Sequence, residues 1–351
     1  MFFTWSHLLV SSIGVYSIGV YFFSYDAWWK MKFILLSDIH ASSKNPVGRK
    51  DNIFKAFLNK IDFVFEHISE KVKGHCVILQ SGDFFDRPRD WKVLLAMFEL
   101  LQSHDISIYT IIGQHDSYMR SDIYETPTTL GILQRARLLS ILGPKPVIFT
   151  ETYYKRQQIY VYGCGWKQKV PKPKGDINIL VIHAPISESS LFPGHDYIDT
   201  FDFAKENKGY DLILAGDIHR LFVYLHKNGR TQIVNTGPMM RRESTDYNMT
   251  HKPCFFIWDS KNFSLEKIQI PHKSSKEVLS KIHIKDKTRE ELVKKFESIA
   301  NEFVIPQEED DYEIRDQILK EIKIYKAFGN KFSKRTEAII SNALTEVDNG
   351  S

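Results

Sequence analysis

The chain has 351 residues, with 47 basic and 43 acidic side chains and a net charge of +4. Its 43% hydrophobic and 26% charged content is that of a globular protein, which excludes a disordered chain, and the length suits one large domain plus a smaller one. The near-neutral total neither requires nor excludes a nucleic-acid partner, because a basic face can sit inside a balanced sum. The three cysteines, Cys76, Cys164 and Cys254, are far apart and fit no zinc spacing. They suit a reducing, cytoplasmic location.

From Met1 to Tyr25 there is no Asp, Glu, Lys or Arg, and the pentapeptide SIGVY occurs twice in tandem at Ser12–Tyr21. The stretch is long enough to span a bilayer. It lacks the basic n-region and cleavage site of a signal peptide. Three readings fit it: translation from upstream of a true start at Met31, a membrane anchor, or a structured extension. The first is preferred, because Met31 is followed at once by Lys32 and the strand-like run FILLS, so attachment to a membrane is not expected.

Short apolar runs bounded by turn residues predict strands at Phe33–Leu36, Cys76–Leu79, Ile108–Ile112, Ile159–Tyr162, Ile179–Ile182 and Leu212–Ala215. Helical periodicity predicts helices over Asp51–Lys71 and Asp90–Gln102, the second opening on a good capping residue. Beyond Leu221 the pattern turns to hairpins, one about Asn228-Gly229 and one about Asp259–Ser264. From Pro271 the composition becomes charged and helical. Thr288–Glu291 reads as a capping box opening a helix to Phe303, and two more helices are expected at Tyr312–Phe328 and Lys334–Val347.

Five short motifs follow apolar strands. They are Asp38-Ile39-His40, Gly82-Asp83-Phe84-Phe85-Asp86, Gly113-Gln114-His115-Asp116, the lone His183, and Gly216-Asp217-Ile218-His219. On extended backbone an i, i+2 pair such as Asp38 and His40 lies on one side and can reach one metal. Gly82 permits a sharp exit from its strand, after which Asp83 can bridge two ions. Any one motif has a bland explanation: a polar strand end, a turn, a hydrogen-bonded histidine. All five can converge on the carboxyl edge of one sheet, where open α/β sheets bind ligands. Hydrolysis of a phosphate ester needs an attacking oxygen at neutral pH and relief of phosphoryl charge, and a pair of divalent ions supplies both. Mixed carboxylate, imidazole and amide ligands suit manganese, with magnesium, iron or zinc as alternatives.

These strings resemble the calcineurin-like metallophosphoesterase superfamily, whose pattern is D-x-H, G-D-x-x-D, G-N-H-D/E, a lone His and G-H-x-H. The resemblance covers residues 31 to 270. FILLSDIH, GDFFDRP and the segment IVNTGPMMRRES at 233–244 are similar to the SbcD-like DNA-repair nucleases, and the chain looks most like the small subunits of bacteriophage recombination endonucleases. The resemblance implies a four-layer α/β/β/α core over 31–270, a small α/β cap over 271–305 and partner-docking helices over 306–351. It implies a first metal on Asp38, His40, Asp83 and His219, and a second on Asp83, Gln114, His183 and Asp217. His115 would protonate the leaving oxygen, oriented by Asp116. Asp86, Arg241 and Arg242 would help place the substrate. Gln114 stands where the family has asparagine, and Asp217 where it has histidine; both substitutions bear on the second metal.

The implied activity is a manganese-dependent DNA exonuclease or endonuclease acting with an SMC-like ATPase, as a homodimer within that complex. The alternatives are a small-molecule or phosphoprotein phosphatase with the same core, and a degenerate scaffold that has lost the second metal. Candidate DNA contacts are Lys167, Lys169, Lys172 and Lys174, on a proline-containing loop between two strands, and Arg87, Arg89 and Arg120 near the motifs.

Overall fold

β1 (Met31–Leu36) is apolar at nearly every position because both of its faces are covered. Ile34 and Leu36 enter one hydrophobic cluster, while Phe33 and Leu35 enter another. Alternation of side chains along a strand divides them in this way. The same division recurs in the other central strands and produces a layered sandwich.

The computed structural model describes residues 31–104, 106–118, 128–153, 155–191 and 194–280. The apolar extension, Arg120 and every strand or helix expected beyond 280 lie outside the described residues. One sheet runs, in spatial order, β14 (Ser264–Gln269), β13 (Cys254–Asp259), β1, β2 (His75–Gln80), β3 (Ile108–Thr110) and β4 (Ser140–Ile141). The other runs β11 (Leu221–Leu225), β12 (Gln232–Thr236), β10 (Leu212–Asp217), β7 (Ile177–Ala184), β6 (Lys155–Cys164) and β5 (Val147–Tyr153). Two short strands, β8 (Ile186–Ser187) and β9 (Ile198–Asp199), pair beside them.

The cluster between the sheets takes Phe33, Leu35, Leu79, Ile179, Val181, Leu212, Leu214 and Trp258. On the far side of the first sheet lie α1 (Ile53–Lys71), α2 (Trp91–Ser103) and α3 (Thr129–Arg135), whose apolar stripes meet Ile34, Ile78 and Phe255. On the far side of the second sheet, Phe203 and Ala204 of α4 (Thr200–Glu206) cover Leu180, Ile182 and Ile213. The core is thus the expected α/β/β/α sandwich. Two further short helices are α5 (Asp246–Thr250) and α6 (Ser275–Val278).

Several boundaries differ from the sequence reading. α1 starts at Ile53, capped by Asn52, whose side chain accepts from Lys55 N at 2.9 Å; Asp51 is instead held by Arg49 at 2.6 Å. β3 stops at Thr110, because its outer neighbour β4 offers only two partners. Beyond the expected boundary at 270, Lys50 N donates to Val278 O and Ser280 N to Gly48 O, both at 2.9 Å, so the described residues up to 280 are hydrogen-bonded to the segment before α1. Among the described residues, no helix is long and apolar enough to cross a membrane.

β1, β2 and β3 are mutually parallel, as are β7 and β10, so the chain leaves each group of strands at one edge. Ser37 joins the two edges: its N–H donates to Thr236 Oγ1 at 2.9 Å and its hydroxyl to Ala215 O at 2.8 Å.

Candidate metal centre

Asp38 and His40 follow β1, Asp83 follows β2, Gln114 and His115 follow β3, His183 lies near the end of β7, and Asp217 ends β10. Four of these sites bend the backbone into the left-handed region: Asp38 (φ +33°), His40 (+48°), Asp83 (+50°) and Asp217 (+88°). They are four of the seven non-glycine residues described with positive φ. Such strain costs about 1–3 kcal/mol per residue and persists only where the surroundings impose it. Here a mesh imposes it: His40 N donates to Asp83 O at 2.9 Å, Asp217 N to Asp38 Oδ1 at 3.0 Å and His115 N to Asp83 Oδ1 at 2.8 Å. The mesh also needs bare backbone. A Cβ on Gly82, itself at φ +87°, would stand 2.7 Å from His183 Nδ1, and one on Gly113 would land on Asp83.

The ligand atoms come together. His40 Nε2 and His219 Nε2 face each other at 2.9 Å, and His219 Nε2 lies 4.0 Å from Asp38 Oδ1. Asp83 Oδ2 is 3.8 Å from His40 Nε2 and 3.5 Å from His183 Nε2, which in turn is 3.8 Å from Asp217 Oδ1. Asp38, His40 and His219 form one group with ligand atoms within 4.8 Å of one another, and Asp38, Asp83 and His183 form a second. Asp38 stands in both of these groups, and a third group joins His40, Asp86 and His115.

Buried polar atoms normally find partners. Asp38 Oδ2, Asp83 Oδ2 and His183 Nε2 are buried without any hydrogen bond. These are carboxylate oxygens and an imidazole nitrogen, the donor set of a divalent ion, so the residues fit the metals that the motifs imply. The protonation states agree. Burial, then the neighbouring His219, holds His40 well below the ordinary imidazole range. Loss of water on its inner side, then Arg242, pushes the half-exposed His219 down to about 4. Both are therefore neutral imidazoles at pH 7, the form that ligates. Burial opposes a charge on His183, but Asp83, then Asp38 and Asp217, outweigh it and push His183 up to about 10. Those carboxylates attract a cation at Nε2, whether a proton or a metal ion. Its orientation is fixed behind: His183 Nδ1 donates to Ser81 O at 2.7 Å. Sequence reading missed Ser81, since a backbone carbonyl leaves no mark on residue type.

Three expected residues meet other partners. Asp116 is not hydrogen-bonded to the His115 ring. Its carboxylate is buried and accepts from Phe84 N (3.3 Å), Phe85 N (2.9 Å) and Gly113 N (3.0 Å), so it staples the loop after β2 to the loop after β3. The group that His115 Nδ1 meets is the Asp86 carbonyl, at 3.1 Å. Arg241 is buried and spends its guanidinium on Ser275 Oγ and Lys273 O, so it cannot receive a substrate there; it anchors α6 instead. Gln114 reaches the site through its amide nitrogen, which donates to Asp217 Oδ1 at 3.2 Å, and so steadies the extra carboxylate that Asp217 brings.

The other expected residues stand at the mouth. Arg242 pairs with Asp86 at 2.6 Å and lines a small cleft with His219, Pro238, Met240, Glu243 and Asn248. Arg87 is committed to Asp90 at 2.6 Å, and Arg89 lies over the Tyr118 ring.

A two-sheet sandwich with carboxylates and imidazoles gathered at one strand edge defines a metal-dependent phosphoester hydrolase. Residues 31–221 match the calcineurin-like phosphoesterase family, and the chain belongs to it. No curated protein matches the sequence. Among solved structures the chain is similar to an archaeal phosphodiesterase, at 12% identity and a TM-score of 0.37, over 68% of this chain and 100% of that one. It is also similar to a 5'-nucleotidase from Candida albicans, at 15% identity and a TM-score of 0.41, over 71% of this chain and 53% of that one.

Proposed function

We propose that the protein is a manganese-dependent nuclease that hydrolyses phosphodiester bonds in DNA, working in recombination or repair with an SMC-like ATPase and as a homodimer within that complex. The observation that carries the hydrolytic part is the convergence of Asp38 Oδ2, Asp83 Oδ2 and His183 Nε2, buried and without hydrogen-bond partners. The nucleic-acid part is supported by the sequence likeness of GDFFDRP and NTGPMMRRES to the SbcD-like nucleases.

In this reading Asp38, His40, Asp83 and His219 hold one divalent ion and Asp83, His183 and Asp217 the other, with Gln114 supporting Asp217. When bound, such ions acidify water and neutralise phosphoryl charge. The chain's own residues do the rest. His115, partly exposed, has Nδ1 on the Asp86 carbonyl at 3.1 Å, and its Nε2 is 3.9 Å from Asp83 Oδ2. Nδ1 donates to that carbonyl, which turns Nε2 to the site; in its doubly protonated form the ring would offer the Nε2 proton to the leaving oxygen. Asp86 in turn holds Arg242, whose charge beside His219 suits a substrate phosphate.

The test is cleavage of single- and double-stranded DNA, together with bis-p-nitrophenyl phosphate, in manganese and after exhaustive chelation. Activity on both with loss in EDTA is expected. Hydrolysis of the small diester with no cutting of any DNA would end the nuclease reading. Activity indifferent to chelation would end the metal mechanism.

A further inference from the structure

The loop between β6 and β7 carries Trp166, Lys167, Lys169, Lys172 and Lys174, all exposed. Trp166 is 37% exposed, a large fraction for an apolar ring of its size, and Lys167 Nζ sits 4.2 Å above it. The turn Gly165–Gln168 accounts for the left-handed backbone of Lys167, at φ +61°. It does not require an indole at position 166, and a core role does not account for one that is partly open with a cation on its face.

The loop is pinned at both ends. Trp166 N donates to Ile112 O at 3.1 Å, which ties the indole to the strand end that continues into Gln114 and His115. Gln168 closes a small ring with Gly165, through Gln168 N to Gly165 O at 3.0 Å and Gly165 N to Gln168 Oε1 at 2.9 Å. Farther along, Tyr210 Oη donates to Pro171 O at 2.7 Å, and Lys174 N donates to Tyr162 Oη at 2.9 Å. Tyr162 and Tyr210 are buried and packed edge to face at 5.7 Å. The lysines therefore project from a backbone held in place, stiffened by Pro171 and Pro173. A prearranged aromatic face and a cationic strip lose little entropy on binding.

We propose that this loop is a platform for single-stranded nucleic acid, on which Trp166 stacks against an unpaired base while Lys169, Lys172 and Lys174 follow the phosphates. Aromatic stacking plus a basic track is how proteins hold single strands without reading sequence. A duplex keeps its bases stacked on each other and offers the indole no free face, so the platform selects single-stranded or frayed ends. The polynucleotide as ligand rests on the nuclease reading above; the loop's geometry does not.

The full chain is assayed in EDTA by fluorescence anisotropy with a labelled 15-nucleotide oligothymidylate, with a blunt duplex of equal length, and with vesicles of anionic phospholipid. Trp166→Ala should weaken oligothymidylate binding about tenfold, and Trp166→Phe should keep most of it, because a ring still stacks. Replacing Lys169, Lys172 and Lys174 together by Gln should reduce the salt slope of that binding by about two. Duplex binding should respond to the lysines and not to Trp166. Equal oligothymidylate affinity in wild type and Trp166→Ala overturns the platform, as does binding of vesicles without binding of oligothymidylate. Wild-type hydrolysis of bis-p-nitrophenyl phosphate separates the two ideas. With hydrolysis but no oligothymidylate binding, the platform fails and the hydrolase stands. With Trp166-dependent binding but no diester hydrolysis, the platform stands and the hydrolase fails.

Discussion

At the scale of single residues, His115 and Asp217 carry the sharpest expectations. His115→Ala should leave metal content unchanged while lowering turnover about 10²–10⁴-fold, the range for loss of a general acid; metal analysis beside steady-state rates checks it, and loss of metal would make His115 a ligand. Asp217 replaces the family's neutral histidine with a charge, and Gln114 steadies that charge at 3.2 Å. On the proposed assignment a second ion would be held mainly by oxygen, which would favour manganese or magnesium over zinc. Asp217→His, alone and with Gln114→Asn, should raise zinc affinity relative to magnesium. Identical stoichiometry and preference in all variants, followed by calorimetric titration, would remove Asp217 from the ligand set. The candidate ligands were legible because an Asp or His just past a buried strand has few other uses when five such places occur together. The roles of Asp116, Arg241 and Arg242 were not. Neighbours on extended chain point to opposite sides, and only the fold decides that Arg241 turns inward and Arg242 toward the site.

At the scale of elements, the loops after β2 and β3 act as one piece because Asp116 joins them. Asp116→Ala leaves the N–H groups of Phe84, Phe85 and Gly113 without their acceptor. An unsatisfied buried donor costs about 1–3 kcal/mol, so this variant should lower the denaturation midpoint and weaken metal binding together. Unchanged stability would show that the staple is dispensable. α2 offers an independent case. Its cap Asp90 accepts from Val93 N at 3.3 Å, from Ser43 N at 2.8 Å and from Arg87 at 2.6 Å. Asp90→Ala should cost about 1–2 kcal/mol, the scale of a lost cap, measured by urea unfolding, without changing metal stoichiometry. The cap itself was readable, since Asp before an apolar periodic run is a start signal. The Ser43 and Arg87 contacts were not, because they join segments that approach only in the folded chain.

At the scale of the whole molecule, one buried histidine links stability to pH. His251 is buried, with Nε2 on Pro238 O at 2.9 Å and Nδ1 by Tyr247 Oη at 3.0 Å. Burial depresses it from an ordinary value of 6.5 to about 4. The unfolded chain therefore takes up the proton first. The contribution to stability is intact above about pH 6.5 and is lost as pH falls toward 4. His40, fully buried, shifts in the same direction. Urea midpoints between those pH values should fall less in His251→Gln than in the wild type; parallel curves would clear His251. A chain beginning at Met31 should remain folded and hydrolytic, as β1 and all five motifs lie within it. Truncation after Glu302 should spare diester hydrolysis and abolish co-purification with a long coiled-coil ATPase; retained co-purification would refute docking through the terminal helices.

The sequence by itself determined ten of the described strands, the helices α1 and α2, the burial of the central strands and the identity of the candidate ligands, because hydrophobic period and residue chemistry are local properties; the short strands β4, β8 and β9, the strand β5 and the helices α3 to α6 carry too weak a local pattern. Tertiary structure alone decided that two separate sheets bring their edges together through Ser37, that Asp38 stands in two of three ligand groups, that Ser81 fixes His183 and that Asp86 rather than Asp116 meets His115. These depend on which groups face each other across gaps of up to 199 residues, as in the Ser37 bond to Thr236, and no local pattern carries that distance.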